Sequence, residues 1–168
     1  MARIFLTVAS ALLCVTLIFF IFSNSLDNAT ESTEKSDAVY ITVNEIAQDL
    51  GIKEEISRSF IRQSAHFIEF TALGISSSLT LIFALAPSPK RALSPKLAFT
   101  CFSLLFCAIT ALIDEYIQTF SDGRVFDVSD ILTDTAGAFT GITLILCTYF
   151  LVRVFYHSKV KKRIKQNT

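Results

Sequence analysis

The chain separates its charges by side. If its apolar stretches cross a membrane, all 15 acidic residues can lie on one face. The basic residues Arg3, Lys90, Arg91, Lys96, Arg153, Lys159, Lys161, Lys162, Arg163 and Lys165 lie on the other. A spanning helix needs about 20 mostly apolar residues. Residues 4–22, 67–86, 97–113 and 131–152 meet or approach that length, and the third can extend through residues 114–120. A mean hydropathy of +0.54 agrees with this segmentation. The expected fold is therefore all-α: a four-helix transmembrane bundle with a short amphipathic extracytoplasmic segment.

Orientation follows from Lys and Arg in short segments beside the spans, which stay on the cytoplasmic side. Lys90, Arg91 and Lys96 sit between spans two and three, and the tail after span four is basic and free of acids. Both termini are thus expected on the cytoplasmic side, with a multi-pass chain in the membrane. The expected organisation is a first transmembrane helix over 1–23, an extracytoplasmic loop with an amphipathic helix over 24–61, a three-span core over 62–152 and a basic cytoplasmic tail over 153–168. Arg3, the apolar run and Ser23-Asn24-Ser25 resemble a secretory signal. The apolar run exceeds the usual h-region of about 7–15 residues, which favours an uncleaved signal anchor.

Within the first loop, residues 25–36 are polar and read as a flexible linker. Val43, Ile46, Ala47 and Leu50, then Ile52, Ile56 and Phe60, follow helical spacing. They imply either short amphipathic helices on the membrane surface or a small lid packed on the bundle. Cys14, Cys101, Cys107 and Cys147 all fall in apolar stretches without a C-x-x-C pair, and read as small buried hydrophobes. Nothing in the pattern points to nucleotide or nucleic-acid binding.

Three polar clusters interrupt the apolar background. Arg62, His66 and Glu69 lie on one face of the helix entering span two. Asp114 and Gln118 share a face at the end of span three, with Glu115 about 100° away. Arg124 precedes Asp127, Asp130 and Asp134, whose i, i+3, i+7 spacing makes one stripe leading to Gly137 and Gly141. That G-x-x-x-G pair suits close helix packing, which would carry the aspartates against a neighbour, plausibly the helix of His66 and Glu69. All three clusters fall at the same membrane boundary.

Charged groups in membranes commonly pair with one another, so one reading is a structural network with Arg62 and Arg124 on the carboxylates. Two arginines nevertheless face Glu69, Asp114, Glu115, Asp127, Asp130 and Asp134. Grouped carboxylates repel, so either some stay protonated, some point to water, or the site takes a cation, a cationic ligand or a hydrogen-bond donor. His66, Glu69 and the aspartates suit a divalent metal such as Mg²⁺, Mn²⁺ or Zn²⁺ by ligand type, without a dense ligand signature. His66 and Glu69 are also the candidate acid–base pair if the chain is an enzyme.

Two segments then carry a family resemblance. Arg62-Gln63-Ser64-Ala65-His66-Phe67-Ile68-Glu69-Phe70-Thr71-Ala72-Leu73-Gly74 resembles the first signature of the VanZ-like family. Asp114-Glu115-Tyr116-Ile117-Gln118-Thr119-Phe120, Gly123-Arg124, Asp127, Asp130, Asp134, Gly137 and Gly141 resemble the second. The chain departs from the usual pattern at Arg62, where Lys is frequent, at Phe70, where Tyr is frequent, and at Asp130 or Asp134, where Asn is common. The resemblance implies a small multispan bacterial membrane protein and an association with teicoplanin resistance. The expected function is binding or modifying a lipid-linked cell-wall precursor, a lipid headgroup or a glycopeptide drug at the outer face. The alternatives are an enzyme on an envelope lipid and a structural adaptor. The partners expected are the lipid bilayer and such a precursor or lipid.

Overall fold

The computed structural model describes residues 1–52, 54–85 and 94–166. Lys53, Lys90 and Arg91 lie outside the described residues. Five helices follow in order: α1 Ala2–Ser25, α2 Ala29–Asp49, α3 Arg58–Leu85, α4 Ser94–Gln118 and α5 Val128–Gln166. No strand occurs among the described residues. Helices α1, α3, α4 and α5 contain the four segments long and apolar enough to cross a membrane. Phe5, Phe19, Phe102, Leu112, Phe139, Leu144 and Phe150 are exposed around them. Water would not tolerate so much apolar surface on one small chain, whereas lipid tails match it. The chain is thus a multi-pass membrane protein by architecture.

Each spanning helix is longer than its apolar run, because polar residues at the ends continue the turn. The third span extends through Asp114 and Glu115 to Gln118. Helix α3 is central and packs on α5, α1 and α4. Its contact with α5 is built from small residues. A Cβ on Gly137 would overlap the Phe67 carbonyl, one on Gly141 the Thr71 carbonyl, and one on Gly74 the Ala138 carbonyl. The two backbones therefore touch, and Thr71 Oγ1 donates to the Gly137 carbonyl at 3.0 Å. The packing expected of Gly137 and Gly141 is present, and its partner is the helix of His66 and Glu69.

Helix directions alternate. Arg3 at the start of α1 donates to the Phe83 and Ala84 carbonyls at the end of α3, at 2.6 and 2.8 Å. Those carbonyls belong to the last turn, which has no helical donor of its own. The core between the helices holds Cys14, Ile21, Phe70, Leu73, Cys107, Ala111 and Ala138. The cysteine expectation holds for Cys14 and Cys107 only. Cys101 and Cys147 are exposed, because their faces of α4 and α5 point away from the bundle.

The first loop departs from the sequence reading. Residues expected to form a flexible linker begin α2 instead. Asn28 Oδ1 accepts from the Glu31 amide at 2.9 Å, and Glu31 Oε2 accepts from the Asn28 amide at 3.3 Å. This reciprocal capping box satisfies orphan donors of the first turn and starts the helix within a polar stretch. Asn44 then holds residue 56 through its amide and carbonyl, at 2.8 and 3.2 Å. Tyr40 donates to Glu55, and Arg58 Nε lies 3.0 Å from Asp37. These ties fold α2 back on the start of α3.

Candidate functional site

The alternation of helices gathers the C-terminal ends of α1 and α4, the N-terminal ends of α3 and α5, and the loop 119–127 at one end of the bundle. Every polar cluster singled out in the sequence lies there. From α4, Asp114 and Glu115 are fully buried and Gln118 nearly so. From α5, Asp130 and Asp134 are buried as well. From α3 come Arg62, His66 and Glu69, all lining one groove.

Asp114 is the best-held carboxylate. Ser25 Oγ donates to its Oδ1 at 2.5 Å, and Gln118 Nε2 donates to its Oδ2 at 3.1 Å. Gln118 is fixed in turn by Arg124, whose Nη2 donates to Gln118 Oε1 at 2.6 Å. Arg124 Nη1 also reaches the Asn24 carbonyl at 3.5 Å. Arg124 thus braces a carboxamide and a backbone carbonyl, and among the described residues forms none of the aspartate salt bridges that one reading of the sequence gave it. Burial first, and then the Arg62 guanidinium, hold the Arg124 pKa below its ordinary value.

Arg62 Nη2 pairs with Asp130 Oδ2 at 3.3 Å. His66 Nδ1 lies 3.2 Å from Asp134 Oδ1. Glu69 Oε1 accepts from Asn24 Nδ2 at 3.3 Å. Glu115 points away from the groove, as its position on the helix requires, and its Oε2 accepts from the Asp127 amide at 2.8 Å. The Asp127 carboxylate does not join the stripe of Asp130 and Asp134. Helix α5 begins one residue later, and Asp127 Oδ1 accepts from the Ser129 amide at 2.8 Å. A side chain outside the first turn caps it instead of pointing along its face.

Several buried acceptors at this end make no hydrogen bond among the described residues: Glu115 Oε1, Asp130 Oδ1 and both oxygens of Asp134. Buried polar atoms are normally satisfied, so this end of the bundle carries more acceptor capacity than the protein fills.

The groove lies between α1, α2 and α3 and has a volume of about 670 Å³. Phe20, Val39, Val43, Phe60 and Ile68 supply apolar wall, while Asn24, Arg62, His66, Glu69, Asp114 and Arg124 supply the polar end. Arg62 and Arg124 also line an adjoining polar chamber of about 390 Å³ with Arg58, Asp127 and Asp130. Sequence reasoning missed Asn24 and Ser25, which reach Glu69 and Asp114 from α1. Their polarity at the end of an apolar run was the available signal, and it was taken for a processing-site pattern.

A family model described as VanZ/LLP1 matches residues 7–153. No curated protein matches the chain, and neither does any solved structure.

Proposed function

The chain belongs to the VanZ/LLP1 family, and from that premise and the groove we propose that it binds an amphiphilic cell-envelope molecule at the outer face of the cytoplasmic membrane. The observation that carries this reading is the groove's division into an apolar wall from α1, α2 and α3 and a polar end with both cationic and acidic groups. Pockets for small ligands are mostly apolar with a few convergent polar groups. An acyl or polyprenyl chain matches Val39, Val43 and Phe60. A phosphate or carboxylate matches Arg62 and Arg124, which repel each other. Amines or hydroxyls match Glu69. Lipid-linked precursors, lipids and lipophilic glycopeptides such as teicoplanin share this chemistry.

The outer location rests on charge. The site end carries the acidic residues of α2 and the loop 119–127, and the opposite end carries Arg3 and the basic residues that follow span four. The test is mass spectrometry of molecules retained by protein released in mild detergent. Wild type is compared with an Arg62→Gln/Glu69→Gln double variant and with Ala65→Trp, which narrows the groove. One amphiphile held by wild type and depleted roughly tenfold in both variants is the expected result, since about 1.4 kcal/mol of lost contact gives that factor. The same lipids at the same level in all three proteins would remove the reading.

A further inference from the structure

We propose that His66, Asp114 and Asp134 form a binding site for one divalent transition-metal ion of the Zn²⁺ or Mn²⁺ type. It lies at the polar end of the groove. This goes beyond amphiphile binding and does not depend on it.

Three helices converge to make the set. His66 comes from the third turn of α3, Asp114 from the end of α4 and Asp134 from α5. One potential ligand atom from each lies within 4.8 Å of the other two. Ligands at about 2.0–2.1 Å from a tetrahedral ion stand roughly 3.4 Å apart, so side-chain rotations of an ångström or so close the set.

A second, independent observation points the same way. Asp134 is fully buried, yet neither of its oxygens makes a hydrogen bond among the described residues. His66 Nδ1 stands 3.2 Å from Asp134 Oδ1, an ion-pair distance when His66 is protonated, while Asp134 Oδ2 has no polar partner among the described residues. A carboxylate and an imidazole thus face each other inside the bundle, and the second carboxylate oxygen keeps its ligand capacity unused. The α3–α5 backbone contact at Gly137 forces this approach, because it brings the two helices together one turn below Asp134.

The surroundings suit a held ion. Asp114 is oriented by Ser25 and Gln118, and Gln118 by Arg124. Such outer partners fix metal-ligating carboxylates. One imidazole with two carboxylates suits Zn²⁺ or Mn²⁺ better than Mg²⁺, which prefers oxygen and water. Three protein ligands leave a coordination position for water or a ligand head. His66 and Asp114 line the groove while Asp134 stands behind them, so that position opens toward the groove. Glu69 borders it.

The test uses tag-free full-length protein in detergent, stripped with EDTA and dialysed against equal micromolar Zn²⁺, Mn²⁺ and Mg²⁺. Metal per protein is read by inductively coupled plasma mass spectrometry. Wild type should keep about one equivalent of Zn²⁺ or Mn²⁺. Asp134→Asn and Asp114→Asn should each keep roughly tenfold less, while Glu45→Gln, an equal charge change on exposed α2, should match wild type. Circular dichroism identifies a variant that fails to fold, and the other then decides. Added Zn²⁺ or Mn²⁺ should raise the unfolding temperature of wild type and Glu45→Gln but not of the folded site variant. Less than a tenth of an equivalent in wild type would overturn the proposal. So would equal metal in wild type and the folded site variant. Neither result bears on retained amphiphile, so failure here and failure of the binding reading stay distinguishable.

Discussion

Replacing Gly137 or Gly141 by alanine adds one methyl group where α3 and α5 meet backbone to backbone. The added Cβ at Gly141 would sit 3.0 Å from the Ile75 amide nitrogen and closer still to the Thr71 carbonyl oxygen. The one at Gly137 would lie 3.1 Å from both the Phe67 carbonyl carbon and its Cα. These are main-chain atoms within a helix, so no side-chain rotation relieves the overlap and the helices must part. Ordinary carbon contacts begin near 3.5 Å, which requires a separation on the order of 1 Å. Overpacking of this kind costs about 1–3 kcal/mol. The expected fall in unfolding temperature is roughly 2–4 °C for each kcal/mol in a chain of this size. The cysteines provide the assay. In a Cys101→Ser/Cys147→Ser background, the buried Cys14 and Cys107 react with a fluorogenic maleimide only as the bundle opens. Gly51→Ala is the comparison. Its Cβ meets nothing within 4 Å, but φ is 82°, so the cost is that of left-handed backbone alone, about 1–2 kcal/mol. The local α2 turn should fray in that variant without early exposure of Cys14 and Cys107. Unchanged cysteine exposure in both Gly137→Ala and Gly141→Ala would refute close α3–α5 packing, and with it the means by which Asp134 reaches His66.

The Arg62–Asp130 pair should respond asymmetrically. The Arg62 side chain is 44% exposed and Asp130 only 3%. Asp130→Asn should cost under about 1 kcal/mol, because water takes the freed guanidinium. Arg62→Ala leaves a buried acceptor without its cation and should cost roughly 1–3 kcal/mol. The same thermal assay checks the order, and a larger loss in Asp130→Asn would contradict it. Orientation is checked by a cysteine introduced at exposed Asp49 in the Cys101→Ser/Cys147→Ser background, where the remaining Cys14 and Cys107 are buried. A membrane-impermeant maleimide should label it in intact cells. Labelling only after permeabilisation would put the groove on the cytoplasmic side.

The sequence made the residues of the polar end legible because helical spacing is local. Arg62, His66 and Glu69 share a face whatever they pack against, and so do Asp130 and Asp134. The Gly137–Gly141 pair also identified which face of α5 could touch a neighbour. What spacing could not decide is where a helix begins. Counting Asp127 into the stripe assumed a helical residue, but α5 starts at Val128, and the Asp127 carboxylate turns to the Ser129 amide. The same ambiguity, with opposite sign, hid the start of α2. Asn28 and Glu31 have capping-box spacing, but the surrounding polarity read as linker, and no apolar face was needed to start the helix.

Contacts between distant segments leave the weakest trace in a sequence. Ser25 and Asp114 are separated by 89 positions and meet at 2.5 Å, yet each looks ordinary in its own segment. Their meeting depends on α1 and α4 ending at the same level, which the balance of apolar length and polar termini sets for the whole bundle. The small-residue contact of α3 with α5 then fixes the third direction of approach. The polar end is thus a consequence of packing along apolar lengths elsewhere. A methyl group at Gly141, two turns from Asp134, should disturb the His66–Asp134 distance more than an equal change on exposed α2. The energy that brings His66 and Asp134 together resides in the helix contact beneath them, since a buried pair gains little net from its own meeting.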